Sequence, residues 1–290
     1  MRETGQRRRN AAVAVALTAL GAAGLGVLGA PAMATPVHGP RPFAQAYLKT
    51  VGQKSSDVVL AINEEVGGQS IRVTASGAFD YAHNEGSLKM HVDLGSSGGV
   101  QSFQEVLANG RAYVELPAAE RAALGVKPWI AVPVVSGGSS SAANESPASV
   151  LALLEANSSG LTKLGSASID GVATTEYRAR VDLTKASAKA SPQVRKVLQQ
   201  VLSWYGGAHS VPLQVWIDGQ ARVRRVKETF TLNPNVGSMA ASTGAVHVVM
   251  TVDLSNYGVP VSVTVPPPDQ VTRQSLSGLG PAAGGGTFTS

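Results

Sequence analysis

The clearest pattern along the chain is strict alternation. Leu88, Met90, Val92 and Leu94 are interleaved with Lys89, His91 and Asp93, and at a strand's period of two this puts every apolar residue on one face. The same pattern recurs over 71–81, where Ile71, Val73, Ala75, Phe79 and Tyr81 oppose Arg72, Thr74, Ser76 and Asp80. It recurs again over 245–254, where Val246, Val248, Met250, Val252 and Leu254 alternate with Ala245, His247, Thr251 and Asp253, and Val249 alone breaks the outer face. One dry face and one wet face is how an antiparallel sheet covered on a single side reads. Further strands are predicted over 56–65, 103–108, 111–116, 129–134, 161–169, 172–182, 211–218, 222–232 and 259–265.

The turns agree with hairpin pairing. Asn109-Gly110 and Asp170-Gly171 supply the two positive φ angles of a type I′ turn, and Gly67-Gly68 separates the first two strands. Val223 and Val226 are three apart, which a period-2 strand brings to one face only through a bulge. Helical spacing is confined to two places. Phe43, Tyr47, Leu48 and Val51 follow Pro42 at a first turn. Over 191–205, Ser191 is placed as N-cap, Pro192 follows at N1, and Val194, Val197, Leu198, Val201, Leu202 and Tyr205 form a stripe stopped by Gly206-Gly207. That stripe needs a sheet to lie on. The Gly/Ser/Ala-rich stretch 136–149 reads as a loop leading into a short helix with Val150, Leu151, Leu153 and Leu154. About ten strands in hairpin order with two or three helices predict an α+β fold on a large curved antiparallel sheet.

The ends change the picture of charge. Arg7, Arg8 and Arg9 precede an apolar run over 11–30 and then Pro31-Ala32-Met33-Ala34, the three parts of a secretory signal peptide cleaved after Ala34. The alternative is a retained membrane anchor, because the run matches the ~20 residues of a spanning helix. Residues 1–34 carry four of the 24 basic and one of the 19 acidic residues, leaving 20 against 18. So near-neutral a remainder gives no basic stripe for nucleic acid. A single domain over 35–272 and a disordered Gly-rich tail over 273–290 are expected. The chain has no cysteine, so apolar burial must hold it without disulfides, and a lipobox is excluded.

Candidate chemistry is sparse. Gly95-Ser96-Ser97-Gly98-Gly99 matches the G-x-S-x-G elbow with Ser97 as nucleophile, but an elbow needs a strand entering a helix in a parallel sheet, and here a strand enters a Gly/Ser turn and another strand. His38, His83, His91, His209 and His247 include no pair at the i, i+4 spacing of a helical zinc site. His91 and His247 belong to wet strand faces. Glu64-Glu65 stands beside a turn, where charge reads as solvation. Arg222, Arg224, Arg225 and Lys227 read either as attraction for anionic headgroups or, preferably, as a charged strand guarding a sheet edge. Trp129, Trp204 and Trp216 are scattered, so no stacking platform for sugars or bases is visible. The aliphatic strand faces fit a packed core or a lipid pocket equally well.

Four segments carry a family resemblance. Residues 165–177, with Asp170-Gly171-Val172 and Tyr177, resemble a hairpin of the actinobacterial LppX/LprAFG-type lipoproteins. Val211-Pro212-Leu213-Gln214-Val215-Trp216-Ile217-Asp218 with Gly219 and Arg222-Val223-Arg224-Arg225-Val226 is similar to a second. Phe103 through Asn109-Gly110 to Pro117 fits a third, and Asp253 through Tyr257 to Val261 with Pro266-Pro267 the closing element. The resemblance spans most of 43–272 and implies a half-barrel packed on a few helices, similar also to the carrier LolA, around an apolar cavity. It implies binding of acylated glycolipids, with no catalytic residues and no cofactor or metal. The missing lipobox cysteine removes the family's membrane tether.

These readings converge on an exported, non-enzymatic carrier or binder of an acylated lipid or glycolipid in the cell envelope, with transient contact to a membrane surface. Dry-face positions Ile71, Val73, Phe79, Leu88, Met90, Val92, Val197, Val201, Val248 and Met250 are the lipid-binding candidates. The alternatives are an envelope interaction or sensor protein with a closed core, and a hydrolase using Ser97.

Overall fold

In the computed structural model of the chain, the described residues are 42–66, 69–93, 95, 99–118, 121–122, 125–133, 158–190, 195, 199, 202, 209–232 and 246–273. The expected signal peptide, the Gly67-Gly68 turn, Ser97, the 136–149 loop with its short helix, most of the 191–205 helix and the tail beyond Arg273 lie outside them. Helix α1 (Pro42–Val51) begins with proline in its first turn, as its sequence predicts. Strands β1 (Ser55–Val66), β2 (Gln69–Asp80), β3 (Glu85–Asp93), β4 (Val100–Ala108), β5 (Arg111–Glu115) and β6 (Trp129–Pro133) follow as an antiparallel meander. A second meander comprises β7 (Ser158–Ile169), β8 (Val172–Asp182), β9 (Ser210–Asp218), β10 (Val223–Leu232) and β11 (Val246–Ser255), with helix α2 (Leu183–Lys189) between β8 and β9.

The two meanders join where β11 lies antiparallel to β1, from Asp57 opposite Ser255 to Val66 opposite Val246. Strand β12 (Val271–Arg273) then runs parallel beside β6. The result is one twelve-stranded sheet in the order β12-β6-β5-β4-β3-β2-β1-β11-β10-β9-β8-β7, open between β12 and β7. Both tight hairpins have the expected geometry, with positive φ at Asn109 (53°) and Gly110 (67°) and at Asp170 (49°) and Gly171 (78°). The dry and wet faces also separate as the alternation predicts: β3 buries Leu88, Met90 and Val92 and exposes Lys89, His91 and Asp93.

Curvature has a local cause in β2 and β3. A Cβ on Gly77 would stand 1.9 Å from the Ser87 carbonyl oxygen, and one on Gly86 would stand 2.7 Å from Phe79 Cδ2. Backbones this close are reached only without side chains, and glycine at such places lets a sheet curl.

The bulge implied by Val223 and Val226 is present. Val223 pairs with Ile217 while Arg225 pairs with Trp216, so Arg224 is the extra residue and both valines reach the dry face. The corner before it is held by Asp218, whose side chain is 2% exposed and pairs with Arg222 at 2.9 Å and Arg224 at 3.0 Å. Its carboxylate also accepts the backbone N–H groups of Gln220 and Arg222. Arg222 and Arg224 lie 4.5 and 4.8 Å from the Tyr257 ring centroid, and the Tyr257 hydroxyl donates to the Val223 carbonyl. Helix α1 is pinned to the same corner: the Thr50 hydroxyl donates to the Ala46 carbonyl at 2.7 Å and accepts the Val223 N–H at 2.9 Å.

Several expectations need correction. The basic cluster does not guard an edge, because β10 is paired on both sides, with β9 and β11. Its arginines face built-in carboxylates, including a two-point pair of Arg225 with Asp253 directly across the strands. The segment 259–265 joins no ladder. Pro260 and Pro266-Pro267-Pro268 lack the N–H that a ladder requires, and the chain crosses instead to the far edge, where Lys127 N–H donates to Thr272 Oγ1. Hairpin order fails at β12, which is parallel, and the chain stays in the sheet through Arg273, one residue into the expected tail. Helix α2 was not anticipated, although Asp182 is its N-cap and accepts the Lys185 N–H at 2.9 Å.

Asp218 gives a test of the corner. Removing a buried carboxylate strands two cations, an effect of about 3–5 kcal/mol. Urea denaturation of Asp218→Ala should show a loss of stability in that range, with Arg225→Ala, whose pair is more exposed, losing clearly less.

Candidate functional site

The dry face of the sheet is continuous across the β1–β11 seam. Register places Phe103, Met90, Ala75, Leu60, Val252, Val226, Val215 and Tyr177 in one row running from β4 to β8. The next row holds Val92, Val73, Ile62, Met250, Glu228, Leu213 and Ala179, and the third holds Ile71, Glu64, Val248 and Phe230. Helix α1 lies over this face, burying Phe43, Ala46, Tyr47 and Val51 in the same cluster, and the Phe43 ring meets Tyr177 edge-on at 6.3 Å.

The two halves of the face differ in accessibility. On β1 to β3 it is sealed except at partly buried Ile71: Val73 and Met90 are 0% exposed. On β8 to β11, Tyr177, Leu213, Val226, Glu228, Phe230 and Val252 belong to the same face yet remain only partly buried. This accessible strip is bounded on one side by α1. On the other stands a second cluster of Val181, Leu183, Ala186, Ala190 and Val211 with Leu202 against it, and Leu213 and Phe230 touch both clusters. Aliphatic and aromatic side chains left partly accessible on the inward face of a curved sheet form a surface that an apolar chain can cover.

A separate cleft of about 420 Å³ lies between α2 and Arg195, Gln199 and Leu202. Its lining is mostly polar or small, and Arg195 donates to the carbonyls of Ser187 and Ala190 at the end of α2. That cleft is an open groove crossed by Arg195 and not an apolar chamber.

Three carboxyl groups interrupt the dry face. Glu64 is 1% exposed and Glu105 4%, and one oxygen of each, Oε2, is buried without a hydrogen-bond partner. Glu228 stands between Leu213 and Met250. Loss of hydration pushes all three carboxyls up from the ordinary 4.5 to about 7, the direction burial imposes on an acid with no compensating cation. Among the described residues none of the three takes part in an ion pair. Glu64 thus departs from the solvated role its position beside a turn suggested; its neighbour Glu65 is the exposed one.

The structure brings eight of the ten candidate positions together. Val73, Phe79, Leu88, Met90, Val92, Val248 and Met250 are members of one buried cluster, and Ile71 packs against it. Val197 and Val201 lie outside the described residues, but Leu202 of the same stripe rests on Leu213 and Phe230. Alternation found the face; seven of the eight described candidates are buried, on β2, β3 and β11, and Ile71 is partly buried. It missed Tyr177, Leu213, Val226, Phe230 and Val252, which share the parity of the residues it chose. It also missed the inward carboxyls, although Glu64, Glu105 and Glu228 each occupy an apolar-phase position of their strand.

The remaining candidates stay apart. Ser97 lies outside the described residues, and the strands on either side of its turn, β3 and β4, are antiparallel partners. His91 and His247 are exposed on the wet face, each against a hydroxyl, Ser102 and Thr231. Among the described residues no three His, Cys, Asp or Glu side chains converge as a metal site, and no helix is long and apolar enough to cross a membrane.

The buried acids set a sign for pH dependence. Below about 4.5 the acid is protonated in both states; between about 4.5 and 7 the unfolded chain ionises first while the folded protein keeps its proton, so stability falls as pH rises and levels off above 7. For Glu105 the shift from 4.5 to about 7 corresponds to roughly 3 kcal/mol at 1.36 kcal/mol per unit. Urea midpoints measured at pH 5 and pH 8 should therefore converge in Glu105→Gln relative to the parent protein. The depressed acid Asp218 acts only at lower pH, outside this window.

No protein-family model matches the chain, and no curated protein matches it. Among solved structures the chain is similar to the Mycobacterium tuberculosis lipoprotein LppX, at 16% identity and a TM-score of 0.47, with 77% of this chain and 96% of that chain covered. It is similar to LprF from Mycobacterium bovis at 15% identity and a TM-score of 0.40, covering 78% and 95%. A Pseudomonas aeruginosa MucA/MucB complex matches at 10% identity and a TM-score of 0.31, covering 79% of this chain and 57% of that one.

Proposed function

We propose that the protein is an exported, non-enzymatic carrier or binder of an acylated lipid, which it holds against the inward face of β8 to β11 between α1 and Leu202. One observation carries this reading: Tyr177, Leu213, Val226, Phe230 and Val252 face inward on the covered side of the sheet and are still partly accessible. A sheet whose face served only as core would seal these positions as it seals Val73 and Met90. An acyl chain laid along the strip gains ~0.8 kcal/mol for each CH₂ removed from water. The buried candidates, from Val73 to Met250, form the floor beside the chain, with partly buried Ile71 packed against them. The signal-peptide pattern of 1–34 supports a carrier outside the cytoplasm, and the absence of cysteine from the sequence means that a lipobox does not tether it.

Affinity should climb with chain length until the strip is filled. Fluorescence displacement with saturated monoacylglycerols of increasing length should show about fourfold tighter binding per added CH₂ over the short chains, then a plateau. Val226→Trp, which fills the strip, should bring the plateau to shorter chains and weaken binding at least tenfold. Protein that comes lipid-free from its native host by mass spectrometry of extracts, and shows no length dependence, would instead favour an interaction or sensor role with a closed core.

A further inference from the structure

Strand β7 ends the sheet and has a neighbour, β8, on one side only. Two irregularities interrupt its ladder, between Ser159 and Thr162 and between Lys163 and Gly165, and the residues left out of register include Leu161 and Leu164. Both leucines are 42% exposed. One exposed leucine is ordinary on a protein surface; two on the same bulged edge, with cations beside them, form a patch. Lys163 stands between the leucines in sequence and opposite Tyr177 in register, so the inward row that passes through Val252, Val226 and Val215 to Tyr177 ends on a lysine. On the opposite face of β8, Arg180 pairs in register with Ser159 and Arg178 with Thr162. Lys163, Arg178 and Arg180 are all exposed, as is Lys189 at the end of α2.

Among the described residues none of these four cations takes part in an ion pair. Arg180 donates to the Ser210 hydroxyl at 3.3 Å, a neutral partner that leaves its charge uncompensated. The two acids of β8 are engaged: Asp182 caps α2 and pairs with Lys185 at 3.2 Å, and Glu176 accepts a hydrogen bond from Gln214 at 2.8 Å. Asp170 lies at the other end of the hairpin, in its turn. Exposed leucines among unpaired lysines and arginines meet both requirements of a peripheral membrane contact: aliphatic side chains reach the acyl boundary while cations meet headgroup phosphates. A second copy of this chain fits the edge poorly. The bulges break the regular row of N–H and C=O groups that edge pairing needs, and pairing β7 with its own copy would bring two sets of like charge to one seam.

Resting on the carrier reading above, we propose that the β7 edge is a docking surface for an anionic lipid bilayer, with Leu161 and Leu164 seated among the headgroups and Lys163, Arg178 and Arg180 on their phosphates. Docked in this way, the protein brings the Tyr177 end of its accessible strip to the bilayer, because β7 is the strand beside Tyr177.

Co-sedimentation of the exported form with vesicles of phosphatidylcholine alone, and of an equimolar mixture with phosphatidylglycerol, tests this. Binding to the anionic vesicles should be at least about tenfold tighter than to the neutral ones, and the difference should vanish at high salt. Lys163→Glu/Arg178→Glu/Arg180→Glu should abolish that preference, and Leu161→Ser/Leu164→Ser should weaken binding about threefold or more at low and high salt alike. All five side chains are exposed, so both variants should keep the parent's urea midpoint and its affinity for a soluble short-chain monoacylglycerol. Equal binding to the two vesicle types, or anionic binding that both variants retain, would overturn the docking surface while leaving acyl binding in the strip intact. A dimer in analytical ultracentrifugation that Leu161→Ser/Leu164→Ser dissolves, with no vesicle binding by the parent protein, would also overturn it and assign the edge to a second copy. Vesicle binding as expected without any monoacylglycerol binding by the parent would overturn the carrier reading and leave the edge as a bilayer contact alone.

Discussion

A twelve-stranded sheet that does not close on itself has no second layer of its own strands to cover its apolar side. Every inward side chain from Phe103 on β4 to Tyr177 on β8 therefore depends on elements laid across the face, and among the described residues α1 and α2 offer little area. Helix α1 contributes four residues to the main cluster, and α2 with Leu202 contributes to the smaller one. The partly accessible strip between them reflects the width of the sheet against the cover that the described residues provide. In a closed barrel the same alternation would give a filled interior; in an open curved sheet it leaves a trough.

The Asp218 corner governs where that trough begins. Without the extra residue at Arg224, Val226 and the residues after it would keep the wrong parity relative to Val223, and the two ends of β10 would face opposite ways. The same corner fixes α1, because Thr50 accepts the N–H of Val223 that the interrupted β9–β10 ladder leaves available. Position of the lid and phase of the floor are thus set by one carboxylate, two arginines and a threonine, all close to where the strands change register.

Much of this was legible in the chain itself, for a physical reason: period-2 alternation and Asn-Gly or Asp-Gly turns are local, so β2, β3, the β4–β5 and β7–β8 hairpins and even the β10 bulge could be written down from residue order. What failed was nonlocal or conditional. The basic residues of β10 look like edge protection until the sheet supplies Asp218 and Asp253 and a neighbour on each side. Glu64 looks solvated until β2 and β11 close over it. The short helix α2 is seven residues long, too short to show a period, and only its Asp182 cap announced it. For the site, parity identified the inward face, but whether an inward valine is sealed or accessible depends on which helix crosses above it, and that is not written in the strand.

The pairing of β1 with β11 carries a consequence for how such a molecule comes into being. Its partners are separated by roughly 180 to 200 residues, and closing so long a loop is slow because its entropy is lost before any contact is made. Each meander can assemble from neighbouring hairpins as it emerges from whatever passage delivers it, but until β11 arrives β1 is a free edge of twelve residues, and its inward side is undried. During that interval the nascent chain presents to its surroundings an apolar surface and a row of unanswered amide groups, the same combination that invites self-association. Quality of production, more than stability of the finished sheet, should therefore be governed by how quickly that seam is zipped.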